Sequence, residues 1–120
     1  MSGARLAVCA VLAVLARAAL AAPDGAALFQ TQCADCHTVE PGRNKRGPSL
    51  AGVVGRRAAA LPAYNYSDAL RGAGVVWTPE RLARYLASPR TDIPGGKMRL
   101  LSPPRAEEIH QIIDWLRQQP

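Results

Sequence analysis

A chain of 120 residues has room for one domain at most. Its 15 Lys and Arg residues outnumber its nine Asp and Glu residues, which gives a formal net charge of +6. Basic residues are not interleaved with aromatic ones in a stacking pattern, so the charge does not indicate a nucleic-acid partner. Only one Phe, three Tyr and two Trp are present, which is little aromatic material for a core.

The N-terminus has the order of segments that is typical of a secretory signal peptide. Met1 to Arg5 is short and basic, Leu6 to Ala16 is apolar, and small residues follow. We expect cleavage after Ala21 or Ala22, with export to the periplasm. The apolar run is shorter than the roughly 20 residues that are needed to span a bilayer, so we expect no membrane anchor.

Residues 23–120 are therefore predicted to be the mature domain, with residues 1–22 removed. Loss of Arg5 and Arg17 from the 15 basic residues leaves 13 against nine acidic ones, a net charge of +4. Loss of Cys9 leaves two cysteines. An exported domain of this size is marginally stable without an added element. With few aromatic residues to fill its core, the domain is expected to hold a large apolar cofactor.

Capping signals predict an all-α domain with three main helices. The three helices run from about Asp24 to Cys33, from Thr78 to Pro89 and from Ser102 to Gln118. Asp24, Thr78 and Ser102 are the expected N-caps. Residues 69–74 are expected to form a short extra helix, and no segment has a strand pattern. Long loops rich in Gly and Pro lie between the helices, which suits a chain that wraps around a cofactor.

Cys33, Ala34, Asp35, Cys36 and His37 form a C-x-x-C-H pentapeptide, for which three hypotheses compete. A redox dithiol normally opens a helix after a strand, and no strand pattern precedes the motif. A structural zinc site needs four Cys or His ligands. After Cys33, Cys36 and His37 the only candidate is His110, so ligands for zinc are in short supply. Covalent haem attachment uses both thiols as thioethers and the adjacent histidine as an iron ligand. The spacing favours haem, which would also supply the missing apolar core.

A haem iron that carries electrons usually has a second protein ligand. The candidates after residue 22 are Met98, His110, Lys45 and Lys97. Met98 lies in a Pro/Gly loop, "DIPGGKMRL", where a lone methionine has less reason to be core packing. His110 shares the polar side of a helical pattern with Asp114, which predicts a solvated surface histidine. Met98 is therefore the favoured ligand.

The motifs along residues 23–120 resemble those of class I c-type cytochromes, close to the bacterial cytochrome c2 and mitochondrial cytochrome c group. They occur in the family's order: "CADCHTVEPG", "GPSLAGVVGR", "YNYSDALRGAGVVW", "LARYLASPR", "IPGGKM" and "IIDWLR". The combination is specific, whereas each piece apart from the pentapeptide is weak alone. The resemblance implies the cytochrome c fold around one covalently attached haem c, with Gly25, Phe29 and Trp115 where the first and last helices cross.

The resemblance also implies roles for individual residues. Cys33 and Cys36 would be the thioether cysteines, with His37 and Met98 as the axial iron ligands. The Pro48 carbonyl would accept the second ring proton of His37. Arg56, Tyr66 and Trp77 would lie near the haem propionates, and Tyr85 beside the Met98 sulfur. From chemistry alone, the three aromatic residues would be core residues that need a hydrogen-bond partner.

The resulting hypothesis is a soluble periplasmic carrier of single electrons, expected to be a monomer and not an enzyme. The alternatives are the haem subunit of a periplasmic dehydrogenase, a gas-binding haem module and a thiol-disulfide enzyme. Expected partners are redox proteins with acidic docking surfaces, such as a cytochrome bc1-type complex, a terminal oxidase or a dehydrogenase. A positive face around the haem edge would receive them, formed by Arg43, Lys45, Arg46, Lys97 and Arg99.

Overall fold

The computed structural model describes residues 24–120, and the predicted signal peptide lies outside them. Five helices are present there: α1 (Gly25–Gln32), α2 (Asp68–Arg71), α3 (Pro79–Ala87), α4 (Pro89–Asp92) and α5 (Ala106–Leu116). This part of the chain has no strand, only an isolated antiparallel bridge between Arg57 and Val76. None of these helices has the length and apolar character needed to cross a membrane. The all-α prediction is confirmed, although two short helices accompany the three main ones instead of one.

The first predicted helix is confirmed, together with its N-cap. The Asp24 side chain accepts a hydrogen bond from the Ala27 backbone N–H at 2.9 Å. Beyond the last helical residue, the N–H groups of Cys33 and Ala34 both donate to the Phe29 carbonyl, and the His37 N–H donates to the Cys33 carbonyl at 2.9 Å. The pentapeptide therefore continues directly from α1 as a series of tight turns.

The second predicted helix begins where expected but ends earlier. Thr78 Oγ1 accepts from the Arg81 N–H at 3.1 Å, and Pro79 occupies the first turn, where its missing N–H costs nothing. The helix ends at Ala87, and Pro89 does not simply close it. Instead, Pro89 opens the separate four-residue helix α4, which the sequence reading did not predict. The short helix expected at residues 69–74 is α2, which begins one residue and ends three residues earlier.

The predicted N-cap of the third helix is wrong. Helix α5 begins at Ala106, and its N-cap position is Arg105 rather than Ser102. The Arg105 N–H donates to Glu108 Oε1 at 3.1 Å, which satisfies the backbone at the helix start. Pro104 restricts the residue before it to extended backbone, so the helix cannot begin as early as expected. At its other end α5 stops at Leu116, two residues before the predicted Gln118.

Helix α1 crosses α5 so closely that a side chain on Gly25 would collide with the Gln111 carbonyl and with Trp115. Beside this point the rings of Phe29 and Trp115 lie 4.9 Å apart, so the crossing expected from the resemblance is present. Helix α5 also packs against α3, and α3 packs against α4. The buried core is made mainly by these helices and comprises Leu28, Phe29, Val53, Tyr66, Trp77, Leu82, Tyr85, Ile93, Ile109, Ile112, Ile113 and Leu116.

Candidate functional site

A cavity of about 530 Å³ lies between the helices and the long loops. All nine residues that the sequence analysis assigned to a site line it: Cys33, Cys36, His37, Pro48, Arg56, Tyr66, Trp77, Tyr85 and Met98. They come from segments that are far apart in sequence, so the fold gathers them. A cavity of this size is in the range of those that bind cofactors.

Both cysteines line the cavity as free thiols. Burial, reinforced by the nearby Cys36, raises the pKa of Cys33 to about 11. At neutral pH Cys33 is therefore a protonated thiol in this environment. A redox dithiol depends on a thiolate with a lowered pKa. The surroundings of Cys33 thus do not favour the thiol-disulfide hypothesis.

The His37 ring is held by the loop that returns to the motif. Its Nδ1 donates a hydrogen bond to the Pro48 carbonyl oxygen at 2.8 Å. Burial lowers the pKa of His37, with smaller contributions from the positive charges of Arg56 and Lys45, and outweighs the opposing effect of the Pro48 carbonyl. The neutral ring is favoured, and since Nδ1 carries the proton, Nε2 retains a lone pair that could bind a metal.

Gly47 is a site residue that the sequence analysis did not single out. A Cβ at this position would lie 2.7 Å from His37 Nδ1 and 2.8 Å from Nε2, inside the ring's van der Waals envelope. The Gly47 N–H also donates to the Cys36 carbonyl at 2.7 Å. Glycine therefore allows the returning loop to lie flat against the imidazole. The sequence signal that could have identified Gly47 is its position immediately before Pro48, whose carbonyl accepts the hydrogen bond of His37.

Arg56 is fixed by the loop that precedes it. Its Nη1 donates to the Ala51 carbonyl at 2.8 Å, and its Nη2 donates to the Ser49 carbonyl at 3.0 Å. Within residues 24–120, Arg56 Nε is the buried side-chain nitrogen or oxygen that has no hydrogen-bond partner. A buried, unsatisfied donor on a cationic group is costly. An anionic group in the cavity would remove that cost.

Aromatic rings form much of the remaining wall. Trp77 and Tyr85 lie 5.0 Å apart between ring centroids, and both are buried. Tyr66 is also buried, and its hydroxyl accepts from the Leu61 N–H at 3.3 Å. Tyr64, which was not predicted, meets Tyr66 edge to face at 4.8 Å and also lines the cavity. These rings are core residues and cavity residues at once, because the core borders the cavity.

Met98 lies half-buried on the cavity wall and packs against the core. It follows a tight turn in which Gly95 has a φ of +87° and the Gly96 N–H donates to the Ile93 carbonyl. His110, the rival ligand, is exposed on α5 and lies outside this cavity, as expected for a solvated histidine. Lys45 is exposed as well, and its ammonium group donates to the Ala34 carbonyl.

Comparison with known proteins agrees with this geometry. The family model described as cytochrome c matches residues 22–120. The chain belongs to the cytochrome c family. Cytochrome c2 of Rhodopila globiformis is 46% identical over 93 residues, which cover 78% of this chain and 88% of that protein. Cytochrome c of Gibberella zeae is 42% identical over 94 residues, which cover 78% and 89%. The solved structure of cytochrome cH from Methylobacterium extorquens is 34% identical, with a TM-score of 0.73, and the match covers 79% of this chain and 95% of that one.

The matches support a class I c-type cytochrome, and cytochromes c are electron carriers rather than enzymes. Family membership implies a covalently bound haem c, and the cavity of this chain fits one. Two thiols can form the covalent attachment of haem c, and a neutral imidazole and a thioether are iron ligands found in cytochromes c. The unsatisfied Arg56 Nε suits a carboxylate of the cofactor. Among residues 24–120, no three His, Cys, Asp or Glu side chains are grouped as metal ligands, so the zinc hypothesis finds no ligand set there.

Gly47→Ala tests the contact between the returning loop and the imidazole. Because the new methyl group would overlap the His37 ring, we expect the ring to be displaced and the Nδ1–Pro48 hydrogen bond to be lost. Overpacking of this kind costs about 1–3 kcal/mol of folding free energy. Proton NMR of the haem-loaded protein should show the slowly exchanging Nδ1–H in wild type and lose it in the variant.

Gly72→Ala is the matched control, since its Cβ would meet only the Asp68 carbonyl at 3.3 Å and Gly72 does not line the cavity. A Gly47→Ala protein that keeps the His37 ring proton as well as the control does would contradict the close-contact argument.

Proposed function

We propose that this chain is a periplasmic one-electron carrier in which Cys33 and Cys36 attach one haem c and His37 and Met98 bind its iron. Residues 1–22 would be the signal peptide that directs export, and residues 23–120 the mature monomer. The observation that carries the proposal is that both thiols, the imidazole and the thioether line a single cavity. When bound, haem c supplies an iron that accepts and releases one electron.

The surrounding residues are suited to hold such an iron in place and to tune it. The Pro48 carbonyl fixes the orientation of His37 and increases the basicity of its Nε2. The Met98 thioether is a neutral donor, and apolar side chains such as Leu82 and Ile112 line the cavity. A thioether donates less electron density than the second imidazole of a bis-histidine site, and apolar walls disfavour the extra positive charge of the ferric iron, so both raise the reduction potential.

A dehydrogenase subunit or a gas-binding module would use the same pentapeptide. A gas-binding site needs an open coordination position, so Met98 would have to stay off the iron. The place of Met98 on the cavity wall favours an electron carrier over a gas-binding module.

Replacing both thiols tests covalent attachment. Cys33→Ala together with Cys36→Ala removes the two sulfurs that would form thioethers, so haem should be extracted from this variant by acid and acetone. The wild-type protein should retain its colour and the added mass of one haem after the same treatment. Asp35→Ala is the matched control, because it changes the same pentapeptide at an exposed position and leaves both thiols. Extraction of haem from the wild type would contradict the proposed attachment.

Met98→Ala tests the proposed second ligand. Loss of the thioether should leave the iron with water or no ligand on that side, lower the reduction potential and allow rapid binding of carbon monoxide to the reduced protein. His110→Ala is the control, because His110 is exposed and lies outside the cavity. Potentiometry and carbon monoxide binding check both variants. If His110→Ala produced these changes and Met98→Ala did not, the ligand assignment would be wrong.

Positive side chains surround the cavity opening. Arg46, Lys97 and Arg99 line the cavity and are exposed, and Arg43 and Lys45 are exposed on the neighbouring loop. Glu107 and Asp114 are exposed on α5 and lie outside the cavity. We infer that acidic redox partners, such as a cytochrome bc1-type complex, a terminal oxidase or a dehydrogenase, approach through this positive face. Complementary charge speeds encounter without requiring tight binding, which suits a carrier that must also leave.

Lys97→Glu with Arg99→Glu should slow bimolecular electron transfer to an acidic partner at low ionic strength. The effect should weaken as salt rises, because the Debye length falls from about 30 Å at 0.01 M to about 8 Å at 0.15 M. Arg57→Glu with Arg117→Glu is the matched control, since both side chains are exposed and neither lines the cavity. Stopped-flow kinetics across a salt series measures the rates. Equal slowing by both double variants would show that net charge matters and that this face does not.

A further inference from the structure

Asp92 carries a carboxylate that is largely shielded from water and lies outside the set of proposed haem contacts. It is the last residue of α4, and its side chain is only 5% exposed. Arg84 Nε donates to its Oδ1 at 2.9 Å, and Arg81 Nη1 donates to its Oδ2. Both arginines lie on α3, so one carboxylate joins two helices that a proline separates. We call Arg81, Arg84 and Asp92 the arginine clamp.

The arginine clamp reaches the cavity wall through Arg81. The guanidinium of Arg81 lies 5.8 Å from the centre of the Trp77 ring, within the range of a cation–π contact. Trp77 in turn packs against Tyr85, and both rings line the cavity. The Arg81 side chain is 18% exposed, so its charge is largely shielded from water. One end of the clamp therefore packs against Trp77, which lines the same cavity as Met98.

The other end of the arginine clamp is the start of the segment that carries Met98. Ile93, directly after Asp92, is buried in the core. The turn from Ile93 to Gly96 follows, and Lys97 Nζ donates to the Asn65 carbonyl at 2.9 Å. The Lys97 contact is exposed to solvent, whereas the side chains of Asp92 and Arg81 are largely shielded from it. The stronger restraint on this segment therefore lies at its Asp92 end.

Other ion pairs of the described residues differ from the clamp. Arg43–Glu40, Arg71–Asp68 and Arg117–Asp114 are exposed pairs within one turn of chain, and such pairs contribute little to stability. Burial raises the pKa of Asp92, but the hydrogen bonds and charges of Arg81 and Arg84 outweigh that effect and lower it overall. The carboxylate is therefore ionised at neutral pH. Removing one partner of a buried ionic group is far more damaging than removing a surface charge.

We propose that Asp92 is a positioning residue which, by clamping α4 to α3 through Arg81 and Arg84, keeps Met98 on the iron. The inference rests on the proposed function, because it requires Met98 to be an iron ligand. Without the clamp, the segment from Ile93 to Met98 keeps the burial of Ile93, the packing of Met98 against the core, the Gly96–Ile93 hydrogen bond of the turn and the exposed Lys97 contact. The fraction of molecules in which Met98 has left the iron should then rise.

Imidazole added to the oxidised, haem-loaded protein measures that fraction, because it can bind the iron only where Met98 has left. Its apparent affinity is the intrinsic affinity multiplied by the open fraction. We expect Asp92→Ala to raise the apparent affinity on the order of tenfold, a modest share of what loss of a buried ionic partner can cost. Asp68→Ala, which breaks an exposed pair with Arg71, should leave it unchanged. Arg81→Gln should raise the affinity more than Arg84→Gln, whose side chain is mostly exposed.

Combining Asp92→Ala with Met98→Ala distinguishes an effect of Asp92 on the position of Met98 from a general loosening of the structure. In a Met98→Ala background the ligand is already gone, so adding Asp92→Ala should not change imidazole affinity further. Hydrogen exchange provides a readout independent of the iron: the Ile93 and Gly96 amides should exchange faster in Asp92→Ala, while amides in α5 keep wild-type protection. Should Asp92→Ala not fold, Asp92→Asn and Arg84→Gln take its place in the same scheme.

The outcomes are distinguishable. If Met98→Ala itself does not tighten imidazole binding, Met98 is not the ligand and the proposed function fails. If Met98→Ala tightens binding but Asp92→Ala does not, the ligand assignment stands and the clamp inference is wrong. If Asp92→Ala tightens binding equally in both backgrounds, Asp92 does not act through Met98, which also overturns the inference.

Discussion

The crossing of α1 and α5 at Gly25 is the contact on which the geometry of the site depends. Because Gly25 has no Cβ, its backbone lies directly against the Gln111 carbonyl and the Trp115 side chain. The relative position of the two helices therefore has little freedom. The tight turns after α1 carry Cys33 to His37 along with it. Helix α5 packs on α3, and α3 on α4, which leads to Met98. The two proposed axial ligands are thus connected through helix packing, although 61 positions separate them in sequence.

The same packing of helices leaves a cavity in the interior of this small domain. A larger domain would bury further apolar side chains in that place. Leu82, Ile112 and Leu116 are buried among the helices and also line the cavity. Part of the core therefore also forms the cavity wall. A domain of this size buries too little apolar surface to be securely stable. An apolar cofactor would complete the core, so haem binding and folding should stabilise each other.

Local signals predicted local features well and tertiary features only through resemblance. The caps Asp24 and Thr78 were predicted because each signal lies within four residues of the backbone it serves. The prediction of Ser102 as the N-cap of the last helix was wrong. The two prolines that follow Ser102 favour extended backbone, so the helix begins later. The contact of Gly47 with His37 and the pairing of Arg81 with Asp92 could not be derived from helical spacing. Each contact depends on how a later loop or helix packs back against an earlier segment. Pro89 also breaks the helical register between Arg81 and Asp92.

Net charge alone does not show which basic residues are available to a partner, because some of them are engaged within the protein. Arg56 and Arg81 have their guanidinium groups committed to carbonyls or to Asp92, so they contribute little to the field that a partner meets. Lys97 both lines the cavity opening and anchors its loop on the Asn65 carbonyl. Its reversal therefore changes charge and loop position together, whereas Arg99 is exposed on the same face. The proposed docking face and the proposed restraint on Met98 thus share one short segment, so a partner that engages Lys97 would also act on the segment that carries Met98.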